Sequence, residues 1–295
     1  RFFGAAVASQ LFAWIALLAG SGTLPRFAGG LGWTLAALHL VTLGVLGMTA
    51  IGASLQLLPV ATRQPVRSMR WPVLIWWLYT PGVAALALGM GLASPPLLAI
   101  GASTVVLALL AYGVLLGVNL VGARGMPVVV AHGWTALVSL LLALATALSL
   151  AFTYLGAALI DRSTGLALHV VFAAYGFMGM LALGLSYILV PMFALAVTPH
   201  EKRALISCAL AALALTLAGA AALGLAPQPA AASRSRPRPA CVPLRLAPTH
   251  PPLGAAPTSA VLCRVPRPFR VLALMCWRAA ACGRPAAYLE EVLPC

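Results

Sequence analysis

Residues Trp33 to Val60 read WTLAALHLVTLGVLGMTAIGASLQLLPV. This is an unbroken apolar run carrying a single imidazole, His39. A helix needs about 20 such residues to cross a hydrocarbon core of roughly 30 Å, so the run reads as a transmembrane helix. The pattern returns from Leu166 to Ala196 as LALHVVFAAYGFMGMLALGLSYILVPMFALA. Aligned on Pro59 and Pro191, the two copies share Gly44/Gly176, Gly47/Gly179, Met48/Met180, Gly52/Gly184 and Ser54/Ser186. His39 precedes its proline by 20 residues and His169 precedes its own by 22.

Outward from this repeat, the rest of the chain has the same character. It is 62% apolar and 7% charged, with a mean hydropathy of +1.03. A water-soluble surface needs far more charge, so composition indicates a polytopic membrane protein. Seven stretches have membrane length, at 3–20, 33–60, 71–93, 96–122, 128–158, 165–197 and 204–225. They must be helices, because lipid offers the backbone no hydrogen-bond partners. The expected fold is therefore all-α, a transmembrane helix bundle of about seven spans over residues 1–225, with an internal repeat at 33–60 and 165–197. The membrane-facing partner is lipid, and no nucleic-acid partner is expected.

Charge orients the bundle. Arg1, Arg63, Arg67, Arg70, Arg124, Lys202 and Arg203 fall on one side, and only Arg26 and Arg162 on the other. The positive-inside bias then places the N-terminus in the cytoplasm. Trp33, Trp71 and Trp134 stand at span ends, as interface anchors do. The chain starts at Arg1 rather than Met and reads as a fragment.

From Ala226 the character changes. Residues 226–295 hold nine of the eighteen Lys and Arg and five of the six cysteines, in Pro-rich sequence without periodicity. One reading is a disordered basic tail. The other is a shifted reading frame near residue 226, since Arg, Pro, Ala, Cys and Gly are what a GC-rich gene yields out of frame. The coding DNA decides between them: the other frame restores apolar spans, or gives only stop codons.

Ionisable groups inside a bilayer are costly, so each asks for a reason. The spans hold no Asp, Glu, Lys or Arg within the bilayer by this reading, and Asp161 and Glu201 fall in loops. Proton pumping and ion-coupled transport lose their usual intramembrane carboxylate. No nucleophile with a base, paired carboxylates or phosphate-cradling glycine loop supports hydrolase or kinase chemistry. Histidine remains. A neutral imidazole can ligate haem iron or copper without bringing net charge into lipid. His39 lies about two turns below the outer face and His169 about one turn below the same face. His132 starts near the cytoplasmic face, too far away to share a centre with them. The competing reading is structural: such a histidine can simply hydrogen-bond a neighbouring carbonyl. The nearby glycines would admit either a flat macrocycle or another helix. Counted at ~100° per residue, the 20- and 22-residue spacings put the two imidazoles about 200° apart around superposed helices. A shared centre therefore needs the repeats rotated to face one space. Gln56, Asn119, Thr42 and Thr49 are expected to make interhelical hydrogen bonds, and Pro59 and Pro191 to kink or end their helices. Met178, Met180, Met192, Tyr175 and Tyr187 read as packing.

HLVTLGVLGMTAIGASLQLLPV and HVVFAAYGFMGMLALGLSYILVPMF resemble bacterial membrane proteins related to subunit I of the haem-copper oxidases. In that superfamily, spans four apart are related by an internal pseudo-repeat, and the two histidines here lie on the second and sixth spans. The resemblance implies that His39 is an axial ligand of a low-spin haem, b-type. It implies that His169 is a second axial ligand or a metal ligand. It covers residues 1–225 and would be the N-terminal half of a twelve-span protein. The HPEVY-like run of the sixth span and the paired copper-ligand histidines of the seventh are absent, so copper is not supported by matching residues. NnrS-like haem- and copper-containing proteins show a similar His-to-Pro pattern, but their His-x-His-Glu lead-in is missing.

The implied setting is the bacterial cytoplasmic (inner) membrane and the respiratory chain, with other respiratory subunits or a cytochrome electron donor as partners. The implied role is electron transfer or oxygen- or nitric-oxide-related oxidoreductase chemistry. The missing copper-site residues argue against this chain reducing the gas alone. The alternatives are a non-catalytic transporter or assembly factor with structural histidines, or a truncated product without function.

Overall fold

The computed structural model describes residues 1–65, 68–195, 197 and 200–225. The segment 226–295, read above as a tail, lies outside them, as does Arg67. Among the described residues there are seven helices long and apolar enough to cross a membrane: Phe2–Ala19, Trp33–Thr62, Arg70–Gly91, Pro95–Val121, Pro127–Tyr154, Arg162–Ala194 and Glu201–Ala222. They are called the first to seventh spans below. The fifth ends at Tyr154, earlier than sequence suggested, because a turn at Leu155–Gly156 closes it, with Gly156 at φ +88°. Among the described residues there is no strand.

Lipid tails are as apolar as leucine, so spans are held together by close packing at small residues. The third and fourth spans form the tightest pair. A Cβ at Gly89 would run into the Leu98 backbone, and one at Gly101 into the Leu86 backbone. The first span buries only Ala6, Ala13 and Ala16, and lies at the edge of the bundle.

The loops alternate between two faces. On the face of Arg1, the Arg124 and Met126 N–H groups donate to the Thr62 and Ala61 carbonyls. The Thr62 hydroxyl also donates to Asn119 Oδ1 at 3.0 Å, tying the second span to the fourth. On the other face, Gly32 N–H donates to the Met90 carbonyl, and the Arg162 guanidinium reaches Gly29.

The repeat is visible as backbone conformation. The second span is α-helical to His39, π-helical over Leu40–Gly47 and α-helical again over Met48–Thr62. The sixth is α-helical over Arg162–Val170, π-helical over Val171–Gly179 and α-helical over Met180–Ala194. The two C-terminal α-helices correspond residue for residue. Each contains its proline, and each ends on a left-handed residue, Arg63 (φ +54°) and Leu195 (φ +48°). Pro59 and Pro191 therefore sit inside helices that end three residues later.

The repeat also reaches further than sequence indicated. Gly44 receives Ser9 of the first span, with a would-be Cβ 2.6 Å from the serine Cβ. Its counterpart Gly176 receives Ser139 of the fifth span at 2.5 Å. Gly52 faces Phe2 and Gly184 faces His132, at 3.0 and 2.8 Å. Ser139 lies 130 residues after Ser9, and His132 lies 130 after Phe2. On that register Ala6, Ala13 and Ala16 map onto Ala136, Ala143 and Thr146, all buried. First and second spans pair as fifth and sixth spans do.

Candidate functional site

The second and sixth spans meet in the interior. The Met178 methyl lies 3.5 Å from where a Cβ of Gly47 would stand. Beside this contact the Tyr112 and Phe177 rings meet edge to face, with centroids 6.2 Å apart. π-Helical turns are rare and concentrate at functional positions. Here both begin within two residues of a histidine: Leu40 follows His39, and Val171 comes two residues after His169. The i→i+5 turn is wider than the α turn, so a count of 100° per residue does not carry through these stretches. Both spans carry such a segment, eight residues in the second and nine in the sixth, so the offset of about 200° expected from spacing changes little, and a shared centre still needs the two spans turned toward one space.

The first π segment is fastened from outside. Tyr79, fully buried on the third span, donates its hydroxyl to the Leu43 carbonyl at 3.1 Å. Gly47 makes this possible, since its would-be Cβ stands 2.5 Å from that hydroxyl. Ser54 and Tyr112 join the second and fourth spans in the same way, oxygen to oxygen at 2.8 Å.

Each imidazole is fixed by one carbonyl. His39 Nδ1 lies 3.0 Å from the Leu35 carbonyl, one turn back on its own helix. His169 Nδ1 lies 3.2 Å from the Ala143 carbonyl of the fifth span. A carbonyl accepts only, so Nδ1 carries the proton in both rings, and Nε2 keeps a free lone pair. Metal-ligating histidines are held in this way, by a second-nitrogen N–H to a carbonyl. Both residues are half-buried and keep an accessible edge.

His132 differs. Its Nδ1 also donates to a carbonyl, that of Val128 at 2.8 Å, but the residue is only 1% exposed. Its Cβ fills the space opposite Gly184, and its ring lies tilted against Tyr187, centroids 5.4 Å apart. No room remains at that ring for a ligand, and His132 sits apart from the other two, as its depth implied.

The shared glycines answer one question left open by sequence. Gly44, Gly52, Gly176 and Gly184 accept other helices, not a free flat surface. Gly179 is the exception, with nothing nearer its would-be Cβ than the Ala174 carbonyl of its own helix, at 3.4 Å. Of the polar residues expected to bridge helices, Asn119 does so. Thr42 instead bonds the Leu38 carbonyl of its own helix, and Thr49 and Gln56 are exposed.

Among the described residues, no three His, Cys, Asp or Glu side chains gather to hold a metal ion. Two hollows of the described surface lie away from both histidines. One of about 450 Å³ is bordered by the first loop, and a shallower one is lined by Ser68, Arg70, Trp77 and their neighbours. Compared with protein-family models, with curated proteins and with solved structures, the chain matches none.

Proposed function

We propose that His39 and His169 are the axial ligands of a b-type haem, in a membrane protein that carries electrons and resembles subunit I of the haem-copper oxidases. One observation carries the reading: two imidazoles on matching spans, each with Nδ1–H held by a carbonyl and the Nε2 lone pair left free. The bound group would supply one-electron redox chemistry. The protein's part is positional. Leu35 sets the His39 ring from within its own helix, and Ala143 sets the His169 ring from the neighbouring span. Seating the site in a bilayer-spanning bundle excludes bulk water from it.

Among the described residues the cysteine is Cys208, buried on the seventh span, and no Cys-x-x-Cys-His run stands there for covalent attachment, in keeping with a non-covalently held haem. With both axial positions taken by histidine, electron transfer suits the site better than gas binding. Reduction of oxygen or nitric oxide would need a further metal site from elsewhere. A bacterial cytoplasmic membrane with the N-terminus inside, and a cytochrome or respiratory subunit as redox partner, complete the proposal.

A second reading has its own observation. His39 is satisfied by a carbonyl of its own helix, which needs no metal, and this suits a non-catalytic transporter or assembly factor with structural histidines. A spectrum separates the two. The purified full chain, reduced with dithionite, is expected to show a Soret band with split α and β bands. His39→Ala and His169→Ala should each abolish or shift it, and His132→Ala should leave it unchanged. Colourless, iron-free wild-type protein would overturn the haem reading in favour of structural histidines.

A further inference from the structure

The first loop is a second place where chemistry converges, on the face opposite Arg1. Three of its glycines take backbone conformations that side chains rarely adopt: Gly29 at φ +88°, Gly30 at +124° and Gly32 at +145°. The loop borders an open hollow of about 450 Å³, lined by Arg26, Phe27, Gly29, Gly30 and Trp33 among others. Gly32 N–H is spent on the Met90 carbonyl. Among the described residues, the N–H groups of Ala28, Gly29, Gly30 and Leu31 enter no hydrogen bond. Consecutive free N–H groups in a glycine-rich turn form an anion-binding concavity.

Two cations stand at this loop. Arg26 lines the hollow, and Arg162 Nη2 lies 3.1 Å from where a Cβ of Gly29 would stand. Arg162 is held in place by Tyr154, with its guanidinium 5.6 Å over the ring and Nη2 donating to the hydroxyl at 3.1 Å. Its neighbour Asp161 is engaged by its own helix N-terminus. That carboxylate accepts from the N–H groups of Ser163 and Thr164 and from the Ser163 hydroxyl. The other described acid, Glu201, opens the seventh span on the opposite face. Exposed Leu24 and Phe27 flank the arginines, as apolar groups at a membrane surface do.

We propose that this loop, with Arg26 and Arg162, is a binding site for a phosphate oxyanion, carried by an anionic lipid headgroup or free in solution. The arginine forks supply charge and bidentate geometry, and the glycine N–H groups close around the remaining oxygens. The site stands independently of the haem, since neither histidine lines it.

The test uses the full chain in detergent, with thermal melting and native mass spectrometry. Phosphatidylglycerol is added in one arm, phosphatidylcholine in a second, and inorganic phosphate against chloride of equal ionic strength in a third. Phosphatidylglycerol is expected to raise the melting temperature of the wild type and to remain bound as an added mass, where phosphatidylcholine does not. Arg26→Gln and Arg162→Gln should each weaken this about tenfold, the worth of one charge-assisted contact. Lys202→Gln, on the opposite face, should behave as wild type. Arg162→Lys keeps the charge but loses the fork, and serves if Arg162→Gln fails to fold; a partial loss is expected. Protection by inorganic phosphate as well identifies a free anion as sufficient, and protection by the lipid alone identifies the headgroup. Equal responses of the wild type and the Arg26→Gln/Arg162→Gln (or Arg26→Gln/Arg162→Lys) variant in the lipid and phosphate arms would overturn the site.

Discussion

Asp161 shows how one side chain starts a span. Four N–H groups at a helix N-terminus lack intrahelical partners, and a carboxylate at the cap satisfies two of them. Asp161 Oδ2 lies 3.0 and 3.1 Å from the Ser163 and Thr164 nitrogens. The Ser163 hydroxyl and the Thr164 N–H, chief among these donors, hold its carboxyl below the usual carboxylate range. A depressed acid contributes stability that is full above the unfolded-state pKa of about 4 and drains away as pH falls through the folded-state value. Asp161→Ala should therefore lower the melting temperature at pH 6 and leave it closer to wild type at pH 3. A constant difference between the two proteins from pH 6 to pH 3 would remove the carboxylate from the account.

At the scale of the element, a glycine facing a serine joins each helix pair. Ser9 sits in the space that Gly44 leaves, and Ser139 in that of Gly176. A methyl group added at either glycine must move a neighbouring helix, which costs roughly 1–3 kcal/mol as overpacking. Gly44→Ala and Gly176→Ala should each destabilise the bundle by that order in a detergent unfolding titration. Ser9→Gly should restore part of the loss in Gly44→Ala, and Ser139→Gly the loss in Gly176→Ala. Additive effects in these double variants would mean that the serine contact is incidental. The π segments belong to the same scale. Each lies between the histidine and the proline of its span, and in the second span Tyr79 from the third secures the Leu43 carbonyl. The Leu43 carbonyl that takes this hydroxyl lies four residues, about one turn, after His39.

The whole molecule is a threading of spans through two faces of unequal charge. Arg63, Arg70, Arg124, Lys202 and Arg203 lie at one set of loops and span ends, with Arg26 and Arg162 at the other. Under the proposed orientation the first loop lies outside and the loop after Thr62 inside. Alkaline phosphatase inserted after Gly22 should be active in intact cells, and the same enzyme inserted after Gln64 inactive. The reverse pattern would invert the orientation and put both histidines near the cytoplasmic face. The matching register of first with fifth and second with sixth spans also belongs to this scale. It makes the bundle two related helix pairs with the third and fourth spans between them in sequence.

The apolar lengths settled the helical class and the position of every span, because a backbone in lipid has no partner but itself. Sequence also disclosed the repeat in the second and sixth spans, through glycine, methionine and proline at fixed spacing, and with it His39 and His169. It could not show that the first and fifth spans repeat too, since their shared signal is Ser9/Ser139 and a few alanines. Nor could it show the π turns, the carbonyl that each imidazole uses, or the approach of Arg162 to Gly29. The reason is physical. A span is apolar on its lipid face and on its packed face alike, so no amphipathic stripe marks which side meets a neighbour. That choice is made by the fit of small residues between helices, and only the assembled bundle displays it.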